Sequence, residues 1–207
     1  VLVLPQRDPV LVAKQAATVD VLSGGRVTLG LGAGWMREEF EILGWDFKSR
    51  GRRLEEAMQV MRACWEGAPA AFEGEFFSLP DGVMAYPRPV QEGGIPLLVG
   101  GMADVAVRRA GRLADGWLAL EMLDGVPDDK LPGVVERLGR QLELAQQHRP
   151  SGMAPMDNVL AVSPLEDRLL PFLRPLADLG FNEIVIDGQW DLDALHETIE
   201  KARDALR

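Results

Sequence analysis

What most constrains this chain is a steady alternation of short apolar runs with longer amphipathic ones. Val1 to Leu4, Arg26 to Leu31, Ile95 to Val99, Gly116 to Leu120, Asn158 to Val162 and Glu183 to Ile186 read as strands. Their apolar and β-branched residues suit a buried parallel sheet. Between them lie helical patterns at Pro9 to Val21, Arg37 to Leu43, Arg50 to Glu66, Asp104 to Leu113, Asp128 to Gln147, Leu165 to Leu179 and Leu192 to Leu206. Such alternation predicts an α/β fold, a parallel sheet wrapped by helices. A doubly wound sheet and a (β/α)8 TIM-type barrel both fit. Because the rhythm holds to the C-terminus, the barrel is favoured. It would be incomplete, one partial domain over residues 1–207 whose first strands are missing. The chain opens on a strand without an initiator Met, so a fragment of a longer protein is expected.

Local signals sharpen this outline. Asp8 and Pro9 predict an N-cap and first turn, with Val10, Ala13, Ala17 and Val21 on one face. Leu54, Ala57, Met58, Met61 and Trp65 recur at helical spacing. So do Leu131, Val134, Val135, Leu138, Leu142 and Ala145. Residues 67–94 break the rhythm with Pro69, Pro80, Pro87 and Pro89, and predict a small hairpin turning at Glu73-Gly74. Pro171 and Pro175 predict a kinked or broken helix, and Asp191 a cap for the last one.

Composition narrows the function. Lys and Arg total 22 against 32 Asp and Glu, a net charge of −10, which argues against nucleic acid as a partner. No apolar stretch approaches the roughly 20 residues of a membrane span. The single cysteine, Cys64, sits among Met61, Ala63 and Trp65 and reads as a buried structural thiol; a reducing cytoplasm is expected. His148 and His196 have no acid or metal partner nearby, and no metal-ligand spacing exists. Arg26 with Asp20, and Arg50 with Glu55 and Glu56, read as structural ion pairs.

Two glycine-rich turns are the candidate sites. In Leu22 to Trp35, Gly24-Gly25 can end a helix, and Gly30, Gly32 and Gly34 remove side chains where a strand gives way to a loop. That edge is where ligands bind in α/β proteins, although close packing explains glycines equally well. In Val99-Gly100-Gly101-Met102-Ala103 a strand ends, glycines bare the backbone and a helix begins, an arrangement that attracts phosphate. An ordinary βα turn reads the same way. Arg108 and Arg109 could add charge, though helix arginines are more often at the surface.

Arg26 to Trp35 resembles the corresponding stretch of the luciferase-like flavin and deazaflavin oxidoreductases. Pro5-Gln6-Arg7-Asp8-Pro9, Ala13 to Asp20, Glu38-Glu39-Phe40, Gly44-Trp45-Asp46-Phe47, Arg50-Gly51 and Glu55 extend the likeness. Phe72 to Phe77, Pro87 to Gln91, Ile95 to Gly101 and Ala114 to Trp117 carry it to about residue 120. The resemblance implies a TIM-type barrel and hydride transfer on a small organic substrate. Gly32-Ala33-Gly34-Trp35 with Glu38-Glu39-Phe40 is most similar to members using coenzyme F420; FMN is the alternative, as in a monooxygenase of the group. It implies cofactor contacts at Ala33, Gly34, Glu38, Val99, Gly100, Gly101 and Met102, with the phosphate arm at the second glycine turn. Trp35, Trp45 and Phe47 would wall the substrate side, while Trp117 reads as packing. Relatives commonly dimerise, so a homodimer is an expectation. No catalytic acid or base is assigned, because such residues often come from the early strands. A non-catalytic fragment or partner subunit is the competing reading. A Schiff-base aldolase fits poorly, since Lys14, Lys48, Lys130 and Lys201 lie away from strand ends.

Overall fold

The computed structural model describes residues 1–66, 71–82, 84–123, 125–163, 170–186 and 192–205. The chain divides into two compact units, Val1–Val99 and Gly100–Arg207.

In the first unit the elements are β1 (Leu2–Val3), α1 (Pro9–Ser23), β2 (Leu29–Gly32), α2 (Arg37–Ile42), α3 (Arg50–Glu66), the short strands β3 (Phe72–Glu73) and β4 (Ser78–Leu79), and β5 (Leu97–Gly100), whose last residue opens the second unit. β1 and β5 flank β2 in parallel, with Leu2 opposite Leu31 and Leu31 opposite Val99. The Asp8 carboxylate caps α1 by accepting from the Leu11 amide at 2.9 Å, with Pro9 in the first turn. Gly24 closes the helix at φ 69°, the left-handed conformation expected of the Gly24-Gly25 pair. Small residues Ala13, Ala16 and Ala17 let α1 pack against α3, where the Trp65 indole donates to the Ala13 carbonyl at 3.1 Å. All five apolar residues expected inward on α3 are buried.

Several details differ from the sequence reading. On α1 the buried face holds Val12, Ala13, Ala16, Ala17 and Asp20, whereas Val10 is half-buried and Val21 exposed. β2 begins at Leu29, three residues later than expected. The Val27 carbonyl is taken by the Gln91 side chain at 2.8 Å and Thr28 is exposed, so neither joins the ladder. Gly30 and Gly32 therefore lie within the strand rather than beyond it. The hairpin forms, with β3 antiparallel to β4 and the turn between Gly74 and Phe77.

The second unit holds α4 (Asp104–Leu113), β6 (Gly116–Met122), α5 (Leu131–Gln147), β7 (Asn158–Ser163), α6 (Leu170–Asp178), β8 (Phe181–Ile186) and α7 (Leu192–Ala205). β6, β7 and β8 run parallel, with Ala119 opposite Leu160 and Leu160 opposite Ile184. Asn158 sits at an irregularity in the β7–β8 register. Its side chain accepts from the Trp117 amide at 3.2 Å and donates to the Gly180 carbonyl at 3.3 Å, tying the starts of the strands together. Asp128–Lys130 is a separate 3-10 turn ahead of α5. On α5, Leu131, Leu138 and Ala145 are buried, while Val134, Val135 and Leu142 are half-buried. Pro175 lies inside α6 and the helix runs through it. Its missing N–H removes the one rung of the ladder that would reach the Pro171 carbonyl. Residues 165–169, Pro69 and the proposed cap Asp191 lie outside the described residues.

Candidate functional site

The parallel pairing of Leu31 with Val99 sets the carboxyl ends of β2 and β5 side by side. Ala33 and Gly34 leave the end of β2, and Val99 and Gly100 finish β5. Val99 is buried; Ala33, Gly34 and Gly100 are half-buried. Gly34 has φ 81°, and a Cβ there would lie 2.8 Å from both Phe40 and Val3. Packing and backbone conformation alone therefore demand glycine at this position. Its carbonyl accepts from Arg50 Nε at 3.2 Å, and the Arg50 guanidinium lies 3.8 Å from the centre of the Phe47 ring. Phe47 meets Phe40 edge-on at 5.4 Å, with Arg37 at 4.7 Å from its own ring centre. Phe47 is thus half-buried between two guanidinium groups in a cation–π sandwich. Trp45 stacks on the Arg53 guanidinium at 4.1 Å, and Trp35 is 80% exposed. Glu38 is exposed in the first turn of α2, and Glu39 accepts from the Gln6 amide at 3.1 Å.

Two of the acidic partners expected for Arg26 and Arg50, Asp20 and Glu56, hold backbone amides elsewhere. Glu56 receives the amides of Glu75 (3.0 Å), Phe76 (2.8 Å) and Phe77 (2.6 Å), pinning the hairpin turn. Asp20 is fully buried and takes the amides of Val90 (2.9 Å) and Gln91 (3.3 Å) and the Gln91 side chain (2.7 Å). Burial pushes the Asp20 carboxyl up, but those hydrogen bonds outweigh it and hold its pKa below the ordinary value. Arg26 instead donates to the Ser23 carbonyl at 2.8 Å. Cys64 is buried, and burial raises its thiol pKa, so it remains a protonated core residue.

In the second unit the chain leaves β5 through Gly100-Gly101 and enters α4 at Asp104. Gly101 has φ 132°, and a Cβ there would lie 2.8 Å from that of Ala106. Ala103 occupies the N-cap with extended backbone but has no side chain able to cap the helix. The Ala106 amide turns back to the Ala103 carbonyl at 2.8 Å, while among the described residues the Asp104 and Val105 amides have no acceptor, as an anion site requires. Asp104 is exposed and pairs with Arg108 at 3.5 Å. Arg109 is buried, contrary to the surface position expected of it.

Three contacts fix this loop from behind. The Trp117 indole, fully buried, donates to the Gly101 carbonyl at 2.9 Å, so its packing role includes a tether. The Gln141 side-chain amide donates to the Met102 carbonyl. Met102 Sδ receives the Leu120 amide at 3.4 Å. Nothing in the local sequence signals the Gln141 contact, because the two residues stand far apart in the chain.

An open cavity of about 300 Å³ in the first unit is lined by Trp65, Arg88, Gln91 and Gly94, and an apolar one of about 20 Å³ in the second by Glu121, Leu138 and Leu160. Neither includes a sequence-predicted site residue. Among the described residues no cluster could hold a metal ion, and no helix is long and apolar enough to cross a membrane. His148 and His196 are both exposed.

The family description "Luciferase-like monooxygenase" matches residues 1–151. The chain belongs to this family. An uncharacterized protein of Mycobacterium tuberculosis is 37% identical over 186 residues, 90% of this chain and 59% of that protein. The F420-dependent glucose-6-phosphate dehydrogenase of Microbacterium testaceum is 35% identical over 204 residues, 96% of this chain and again 59% of the relative. The chain thus spans less than two thirds of the length of these relatives. Among solved structures, an F420-dependent secondary alcohol dehydrogenase with an F420-acetone adduct is 24% identical at TM-score 0.58, covering 96% of this chain and 67% of that one. The oxygenating constituent of 3,6-diketocamphane monooxygenase of Pseudomonas putida, with FMN, is 17% identical at TM-score 0.61, covering 99% of this chain and 56% of that one. These likenesses show the α/β fold of TIM-barrel type expected from the sequence.

Proposed function

We propose that this luciferase-like chain, as one partial barrel domain, serves hydride transfer between coenzyme F420 and a small organic substrate. The observation that carries the reading is the uncapped N-terminus of α4 directly after Gly100-Gly101. A phosphate tail fits there. Gly101 leaves no room for a side chain, and the Asp104 and Val105 amides offer donors on the positive end of a helix dipole. Val99, Gly100, Gly101 and Met102 would hold the tail. Ala33 and Gly34 would offer the neighbouring strand end to the ring, and Glu38 a hydrogen bond to a cofactor hydroxyl or amide. Trp35, Trp45 and Phe47 would flank the substrate side. When bound, the cofactor supplies the hydride-accepting or hydride-donating ring. The protein's part is to bind, orient and exclude water. The F420-dependent dehydrogenase relative supports F420 over the alternative.

A second reading is an FMN-dependent monooxygenase, favoured by the FMN-bound structural neighbour. Fluorescence titration of the chain with F420 and with FMN tests both. Tighter binding of F420 is expected. Tighter binding of FMN transfers the assignment to the second reading, and binding of neither overturns both.

A further inference from the structure

The turn between β5 and α4 is held by side chains from two other elements. Trp117, in β6, donates from its indole to the Gly101 carbonyl at 2.9 Å. Gln141, on α5, donates from its amide nitrogen to the Met102 carbonyl. A trans peptide points its N–H opposite to its C=O. Clamping the Gly101 carbonyl therefore turns the Met102 N–H away from Trp117. Clamping the Met102 carbonyl likewise turns the Ala103 N–H away from Gln141. Neither amide has a partner among the described residues.

Gln141 supplies a second sign that this arrangement serves more than packing. It is nine-tenths buried, and among the described residues its Oε1 is buried without a hydrogen-bond partner. Native interiors seldom tolerate such an orphan, and where one persists it calls for an explanation. Turning the amide over would not relieve it, since oxygen would then face the Met102 carbonyl oxygen. A leucine of similar size would remove the orphan but also the donor to the Met102 carbonyl, so the glutamine carries one unsatisfied oxygen alongside that bond. What it provides in return is a fixed Met102 carbonyl.

We propose that Gln141 and Trp117 are positioning residues for the cofactor's phosphate arm: by clamping the Met102 and Gly101 carbonyls they preset the Ala103 and Met102 amides as donors to it. The inference rests on the reading of this turn as a phosphate site. A preset donor pair spares the ligand the cost of ordering the loop. The effect belongs to the phosphate and not to the ring, which gives the two roles different signatures.

The test compares ligands that differ in the phosphate. The wild-type chain, Gln141→Leu and Trp117→Phe are each titrated with FMN and riboflavin, and with F420 and its phosphate-free deazaflavin precursor, by ring fluorescence. Thermal melts accompany each titration. Wild type is expected to prefer the phosphate-bearing member of at least one pair. Gln141→Leu is expected to lose about fivefold of that preference, the size of one hydrogen bond, with affinity for the phosphate-free member unchanged. Trp117→Phe keeps a ring in the buried slot and should shift the preference in the same direction; it supplies the reading if Gln141→Leu fails to fold. Equal weakening of both members, or an unchanged preference in a folded variant, overturns the positioning role while leaving the phosphate site standing. Absence of any preference in wild type removes the phosphate site, and the positioning role falls with it.

Discussion

At the residue scale, the polar side chains that matter most act over long distances in sequence. Asp20 reaches Val90 and Gln91, and Glu56 reaches Glu75 to Phe77. Adjacency in the chain suggested local ion pairs, and a single sequence carries no signal for partners 70 or 71 residues away. Gly24, Asp8 and Cys64 were legible because their roles are set by immediate neighbours. Asp20 gives the clearest prediction at this scale. Asp20→Ala strands two backbone amides and takes one of the two acceptors of the Gln91 side chain, which keeps the Val27 carbonyl, and should cost about 2–3 kcal/mol by denaturant unfolding. The pH dependence follows from its depressed folded pKa. The stabilisation is fully present above the unfolded value of about 3.9 and is lost as pH falls through the folded value. Asp20→Asn, which cannot ionise, should flatten that acid limb of the stability curve. An unchanged limb would assign acid lability to other carboxylates.

At the element scale, helices were read more closely than strands. α3 and α4 have the bounds expected from their apolar spacing. β2 does not, because β-propensity at Val27 and Thr28 could not show that Gln91 takes the Val27 carbonyl. The glycine turn after β5 was legible as a break between a strand and a helix. The tethers behind it were not, since Gln141 lies on another helix. The turn amides of the hairpin β3–β4 share one carboxylate outside it. Glu56→Ala removes the acceptor for three turn amides, so hydrogen exchange at Glu75, Phe76 and Phe77 should accelerate at least tenfold, equivalent to about 1.4 kcal/mol of local opening energy. Exchange within α3, where Leu54, Ala57 and Met58 are buried, should stay slow. Equal acceleration in both segments would show general destabilisation instead.

At the scale of the whole molecule, alternation of strand and helix was enough to reach the fold, and the family match over residues 1–151 agrees with it. Cofactor choice was not legible in the same way, because relatives and structural neighbours include both F420 and FMN proteins. A ligand that binds only the folded chain must raise its melting point, by about 2.7 kcal/mol of stability at a concentration 100 times its dissociation constant. F420 should therefore shift the melt in a dose-dependent way, and absence of a shift at saturation would contradict binding to the native state. The most direct test of the site itself is Ala103→Asp. The extended backbone at Ala103 suits an N-cap, so aspartate there should cap α4 and hold or raise the melting temperature. The same carboxylate occupies a first-turn amide and repels an anion, so affinity for the phosphate-bearing cofactor should fall at least tenfold, about 1.4 kcal/mol. A folded Ala103→Asp chain that binds the cofactor as tightly as wild type would show that the phosphate lies elsewhere.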